Sequence, residues 1–396
     1  MSLCRFEDRW TGQALVLEQP VDRITACQPE ALRPALAAIE QHQAAGRWIA
    51  LLMTYDLGEW LEPRALQAPI SSLPAPEAVS VQASRSPTSP FPSDTPQPRL
   101  TALVFEQART AAPWLPAAHQ AGITAVQPRM ARADYLSRIE RIRELIRAGE
   151  VYQINYTFGM DIETEGSPEA LYRRIAHGHP SAHAAYIEDQ DGSVLSFSPE
   201  LFMQRRGHHL TCRPMKGTAP RHPDPVRDQA LGQALLDSIK NRAENLMIVD
   251  LLRNDMGRLA VPGSVRVPRL FELESYPSVW TLTSTIEAEL PPLPLHSLLT
   301  ALFPCGSITG APKIAAMQHI RQLEPEPRGL YCGSIGWLAP NGDFSLNVAI
   351  RTLVLHERNH GRYHVGGGIV HDSIPEQEWE ECLWKARILN ATRLPN

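Results

Sequence analysis

The chain has 396 residues, 43% of them hydrophobic, and a formal net charge of −5. This is enough apolar material for one large core or two intimate ones, and without a basic excess it excludes an electrostatic nucleic-acid binder. No run approaches the ~20 apolar residues of a membrane helix, the N-terminus lacks a signal-peptide apolar region, and six scattered cysteines form neither C-x-x-C nor zinc spacings, so a globular cytoplasmic protein with free thiols is expected.

In chain order, WIALLMTYDLGEWL from Trp48 and LTALVFEQ from Leu100 each contain a buried-strand pattern. They are expected to pair within an N-terminal region, residues 1–125. The Pro- and Ser-rich stretch at 68–99 interrupts that region as a flexible loop. A second region, 126–396, opens on a helix capped by Asp134, with Tyr135, Ile139, Ile142 and Ile146 along one stripe and Gly149 as terminator. VYQINYTFGMDIE then alternates as a strand. A helical stretch follows over 225–253, broken near Lys240. Further strands are predicted around SVRVPRLFEL, WTLTSTIEAEL, YCGSIGWLAP, FSLNVAIRTLVLHE and GRYHVGGGIV. The last helix starts near Ser373, where Glu376 three residues on completes a capping box. Long strands mixed with helices, without β-α-β alternation, predict an α+β architecture.

Lysine is scarce. Four lysines (Lys216, Lys240, Lys313 and Lys385) stand against 34 arginines. An arginine stays protonated, whereas a buried lysine amine can lose its proton and act as a nucleophile. In the last helix Glu378, Glu381 and Lys385 share a narrow arc, which by itself also describes an ordinary solvated face. Glu244 sits just ahead of an apolar helical run and needs a partner, an arginine or a metal. Carboxylates from two helices suit Mg²⁺. Gly306-Ser307-Ile308-Thr309-Gly310 precedes an amphipathic helix and forms an anion-attracting start, but the P-loop spacing is absent. Gly366, Gly367 and Gly368 mark either a close approach to a ligand or a tight bend. Arg351, a lone charge in an apolar strand, calls for a partner such as a ligand carboxylate.

Together these segments resemble the chorismate-utilising enzymes. The matching pieces are YQIN at 152–155, FSPE at 197–200, RPMKGT at 213–218, KNRAENLMIVDLLRND at 240–255, GSITGAPK at 306–313, IRT at 350–352, GGGIV at 366–370 and E-x-x-E-x-x-x-K at 378–385. The resemblance implies an anthranilate synthase component I-like fold, with large mixed or antiparallel sheets flanked by helices. It implies Lys216 as covalent nucleophile and Glu200 as acid/base near a departing hydroxyl. Glu244 and Glu381, assisted by Glu378, would hold Mg²⁺. Gln153, Ser307, Thr309, Trp337, Arg351, Gly366, Gly367, Gly368 and Lys385 would bind substrate, Trp337 replacing a commonly tyrosine aromatic. Members that add water usually carry a lysine where this chain has Gln153, and anthranilate-forming members carry alanine where it has Lys216. The combination implies amination of chorismate to 4-amino-4-deoxychorismate, on the route to para-aminobenzoate and folate. Anthranilate formation and a non-catalytic chorismate-binding regulatory subunit are the alternatives. No amidotransferase nucleophile motif G-x-C-x-G-x-Q occurs, so a separate glutamine amidotransferase subunit is expected to supply ammonia. Asn241 and Thr281 depart from the family pattern, which often has an acid and a histidine there. No role follows for Lys240 or Lys313.

Overall fold

The computed structural model describes residues 2–69, 71, 73, 97–117, 121–276, 279–357 and 359–390. Most of the loop expected at 68–99 lies outside them. The strands form two ten-stranded sheets, with antiparallel pairing throughout the described ladders. The first sheet runs Gly310–Ala311, Gln153–Glu165, His360–Ile369, Thr352–Glu357, Gly192–Ser198, His183–Asp189, Leu3–Asp8, Gln13–Glu18, Arg109–Ala111, with a tenth strand, Gly122–Pro128, also paired on Gln153–Glu165. The second runs Met215–Pro220, Val279–Glu289, His209–Arg213, Leu201–Arg206, Phe344–Asn347, Ser334–Leu338, Trp48–Met53, Leu100–Phe105, Asp22–Ala26, and its tenth strand, Arg266–Ser275, pairs on Val279–Glu289. The two predicted N-terminal strands do pair, Trp48 opposite Phe105. Among the described residues, however, 1–125 build no sheet of their own: their strands extend both large sheets.

A small apolar cluster lies directly between the sheets, with Cys4, Phe6 and Leu17 from one facing Ala50, Leu103 and Ile335 from the other. The larger cluster takes in the helices. The helix Arg132–Arg147 begins two residues before the expected Asp134 cap, and it buries Leu145 rather than Ile146 together with Tyr135, Ile139 and Ile142. The second helical stretch is two helices, Pro225–Asp237 and Ile239–Gly257, divided at Ser238. The Ser238 hydroxyl accepts the Asn241 N–H at 3.3 Å, a cap that starts the second helix and explains the break. The last helix, Pro375–Lys385, has Ile374 at its N-cap and no side-chain cap. Ser373 instead accepts the Val370 N–H at 3.1 Å, so the capping box does not form.

That last helix is anchored by Trp379, whose ring stacks on Phe158 at 5.2 Å and meets Tyr135 edge-on at 5.3 Å. Anchoring one face in the core leaves the opposite face, with Glu378, Glu381 and Lys385, turned toward the interior space described next. All six cysteines are free thiols, and no described helix is long and apolar enough to cross a membrane.

Candidate active site

The chain crosses from one sheet to the other twice within a few residues of the same point. After Gly192–Ser198 of the first sheet, Pro199 and Glu200 lead into Leu201–Arg206 of the second. After Phe344–Asn347 of the second, 348–351 lead back into Thr352–Glu357 of the first. The crossings are laced together: the Val348 N–H donates to the Glu200 carbonyl at 3.0 Å, and the Phe197 N–H to the Arg351 carbonyl at 3.0 Å. Such crossings free side chains from the in/out alternation of a strand, and both crossings place a charge, Glu200 and Arg351, toward one cavity. Arg351 adopts φ +50°, a left-handed conformation unusual for a residue with a Cβ.

That cavity, of about 280 Å³, is closed by the edge strand carrying Lys216, the helix start carrying Lys240 and Glu244, and Ser307. The remaining wall is the Gly366–Gly368 strip with Glu378, Glu381 and Lys385. Three of the four lysines therefore meet in one place. The fourth, Lys313, is a structural ion pair with buried Asp255 at 2.5 Å and also donates to the Leu302 carbonyl.

Glu200 is 3% exposed, and burial pushes its carboxyl up to about 7 against the lowering effect of the Ser307 hydroxyl and of Lys216. Ser307 donates to it at 2.6 Å. Burial lowers Lys216, opposed by the Glu244 carboxylate and reinforced by Lys385, so the free amine is favoured more than in water. Its neighbour Gly217 is at φ +84°, and the Gly217 carbonyl accepts the Thr281 hydroxyl at 2.9 Å. Thr281, which departs from the histidine of the family pattern, therefore fixes the backbone just after the lysine. Asn241 donates its side-chain amide to the capping Ser238 hydroxyl at 2.9 Å and lies over Gly217, about 3.2 Å from where a side chain would begin.

The triple glycine has a specific spatial reason. A Cβ on Gly368 would stand 2.5 Å from the Lys216 amine and 3.0 Å from the Gln153 amide nitrogen, and one on Gly367 would stand 3.3 Å from Glu378. Bare backbone is what lets these groups pack against the cavity wall. Gln153 is fully buried, and both polar atoms of its amide lack a partner among the described residues. Such atoms ask for a ligand. Lys385 donates to the Gly366 carbonyl and pairs with Glu381, both at 2.8 Å.

Glu244, Glu378 and Glu381 lie at one end of the cavity. Burial raises Glu244 and Glu378, and the charge of Glu381 raises both further; Glu381 itself is lowered by Lys385. Among the described residues no three such groups are already drawn into a ligand cage. The donor chemistry, oxygens only with excess negative charge at one end, fits a hard divalent cation.

Three residues expected to bind substrate do not line this cavity: Gln153 lies buried behind Gly368, and Trp337 and Thr309 are turned elsewhere. Trp337 lies on the strand Ser334–Leu338, where it packs on Trp48 at 5.8 Å beneath the Arg206 guanidinium and lines a different cavity of about 360 Å³ between the sheets. Thr309 is fully buried, and its hydroxyl turns back to the Cys305 and Gly306 carbonyls at 3.2 Å, closing its own turn. The aromatics that do line the site are Tyr331 and Tyr363. Tyr331 stacks on His364 with ring centroids 5.4 Å apart. It opens the predicted strand YCGSIGWLAP but precedes the strand that forms, Ser334–Leu338, so strand alternation does not tell which way it faces.

A model of the chorismate binding enzyme family matches residues 4–391. The chain is 44% identical over 272 residues to aminodeoxychorismate synthase component 1 of Salmonella typhimurium, covering 67% of this chain and 59% of that protein, less than two thirds of its length. It is 40% identical over 351 residues to the protein of the same name from Klebsiella aerogenes, covering 86% and 76%. The crystal structure of anthranilate synthase component I from Streptococcus pneumoniae TIGR4 superposes with a TM-score of 0.78 at 25% identity, covering 96% and 92%. A match that runs through both sheets and every wall of the cavity makes this chain a member of the chorismate binding enzyme family.

Proposed function

We propose that this chain aminates chorismate to 4-amino-4-deoxychorismate, the activity of an aminodeoxychorismate synthase component 1. The observation that supports the reading is a lysine amine, its proton affinity lowered by burial, held in one cavity with a protonatable Glu200, with the unpartnered Gln153 amide buried just behind Gly368 of the cavity wall. The amine's lone pair forms a C–N bond to the ring, the double bonds shift, and the C–O bond breaks. Glu200 gives its proton to the departing hydroxyl, which leaves as water, and takes one back from the new ammonium. Ammonia then forms the second C–N bond as the Lys216 bond breaks; Glu200 gives its proton to the departing Lys216 nitrogen and takes one back from the new ammonium, which regenerates the enzyme. Gln153 cannot act as a base toward water, which favours ammonia over hydroxide as the incoming group. Arg351 and Lys385 are the cationic partners for substrate carboxylates.

Mg²⁺ held by Glu244, Glu378 and Glu381 would supply a counter-charge for a substrate carboxylate. A glutamine amidotransferase subunit would deliver the ammonia, and free ammonium would replace it. Incubation with chorismate, ammonium and Mg²⁺ tests the reading: 4-amino-4-deoxychorismate without pyruvate is expected. Fluorescent anthranilate with released pyruvate would overturn it in favour of the anthranilate-forming reaction.

The glycine strip gives a sharper check. In Gly368→Ala the new methyl group stands 2.5 Å from the Lys216 amine, so the amine has to move by roughly an ångström. Misplacement of that size costs about 100-fold in kcat. Near-native turnover in this variant, with the fold unchanged by circular dichroism, would contradict the placement of the amine.

A further inference from the structure

Arg328 is 2% exposed, outside the cavity's chemistry, and unusually well bonded for a loop residue. Its Nε and Nη2 grip both oxygens of Glu324 at 2.8 and 2.7 Å, a bidentate pair. The same fork reaches two backbone carbonyls, Nη1 to Ile308 at 2.8 Å and Nη2 to Asn155 at 2.6 Å. Its flat face lies 4.2 Å over the Tyr55 ring. Glu324 in turn accepts the Thr157 N–H at 2.9 Å and the Thr157 hydroxyl at 3.0 Å.

Both carbonyls belong to walls of the active cavity. Ile308 follows Ser307, and Asn155 lies on the strand that carries Gln153. A second bond joins the same two segments, from the Asn155 N–H to the Thr309 carbonyl at 2.8 Å. The turn 306–309 is thereby clamped to the strand from two sides. The Ser307 hydroxyl spends its one hydrogen on Glu200, and its oxygen is free to accept from the Cys305 thiol at 3.3 Å, so both contacts depend on where the turn holds Ser307.

We infer that Arg328, oriented by Glu324, is a positioning residue that holds the turn 306–309 so that the Ser307 hydroxyl stays on the Glu200 carboxyl. The inference rests on the reading of Glu200 as the acid. No lysine reproduces the role, since one ammonium cannot span a carboxylate and two carbonyls with a planar fork. Besides Ser307, the groups facing Glu200 are Lys216, Arg351, the Met215 N–H, Cys305 and Cys332. Of these, Cys332 also interacts electrostatically with Arg328, so Cys332→Ala, which leaves the Ser307 contact in place, serves as the control for that second route.

The test follows the Glu200 carboxyl itself, by infrared difference titration, with its signal identified by loss in Glu200→Gln. In the wild type, where burial pushes this carboxyl up to about 7, the signal is expected to titrate near that value. Because the Ser307 bond lowers that value, Arg328→Lys and Glu324→Gln are both expected to move it upward, in the direction of Ser307→Ala. Ser307→Ala combined with Arg328→Lys moves it no further than Ser307→Ala alone. With chorismate, kcat falls by up to about 100-fold while KM changes little. If Arg328→Lys does not fold, Glu324→Gln gives the same readout. An unmoved titration in folded variants of a wild type that turns chorismate over overturns the brace alone. A moved titration in a wild type inert toward chorismate leaves the brace standing and removes the proposed reaction.

Discussion

Lys216→Ala is expected to abolish chorismate turnover, with a loss of about three orders of magnitude or more, because the step that splits the substitution in two loses its nucleophile. The fold should survive. Lys216 is half-buried on an edge strand, its amine makes no hydrogen bond or ion pair among the described residues, and it faces a cavity. The decisive measurement is mass spectrometry of the protein exposed to chorismate without ammonia. The wild type should carry an adduct of chorismate less one water on the peptide that contains Lys216, and Lys216→Ala should carry none. Lys240→Ala serves as the contrast, since Lys240 lines the same cavity from its exposed rim and should leave the adduct intact. An adduct that persists in Lys216→Ala, or moves to Lys240 or Lys385, would refute the assignment.

The second large effect is expected at Glu200. Glu200→Gln keeps the size of the side chain and an acceptor for Ser307 but cannot donate a carboxyl proton to the leaving hydroxyl. A fall of about 10²–10⁴ in kcat follows. The pH profile gives the more specific signature. Glu200 works protonated, and its carboxyl is pushed up to about 7, so wild-type kcat falls as pH rises through that value. Lys216 works as the free amine, and its lowered value extends the active range downward until protonation stops it. The wild type is therefore expected to show a bell, and Glu200→Gln to lose the alkaline limb while keeping the acid one. An alkaline limb that remains in Glu200→Gln would assign it to another group.

How much of this was legible in advance varied with the range of the signal. The stripe Tyr135, Ile139, Ile142 is buried as read, because helical period is a local property. Its fourth member was misassigned by one residue, Leu145 being buried instead of Ile146, since the exact wrap depends on what the helix leans against. The Ser373–Glu376 capping box failed for a similar reason, as Ser373 is used by Val370 in the turn before the helix. Trp337 was the plainest error. An aromatic near a strand reads the same whether it faces one cavity or another, and strand pairing with Trp48–Met53 turned it toward the other.

By itself the sequence determined the element types, the scarcity of lysine that singled out Lys216, and the ordered set of motifs that carried the family resemblance. All of these reside in short windows where residue type and spacing are enough. Only the tertiary structure decided that Glu200 and Arg351 meet where the chain crosses between sheets, that Tyr331 replaces Trp337, and that Arg328 reaches back 173 residues to the Asn155 carbonyl. The physical reason is that periodicity reports which way a side chain faces within its own element. What it faces is settled by sheet order and by the packing of segments far apart in the chain.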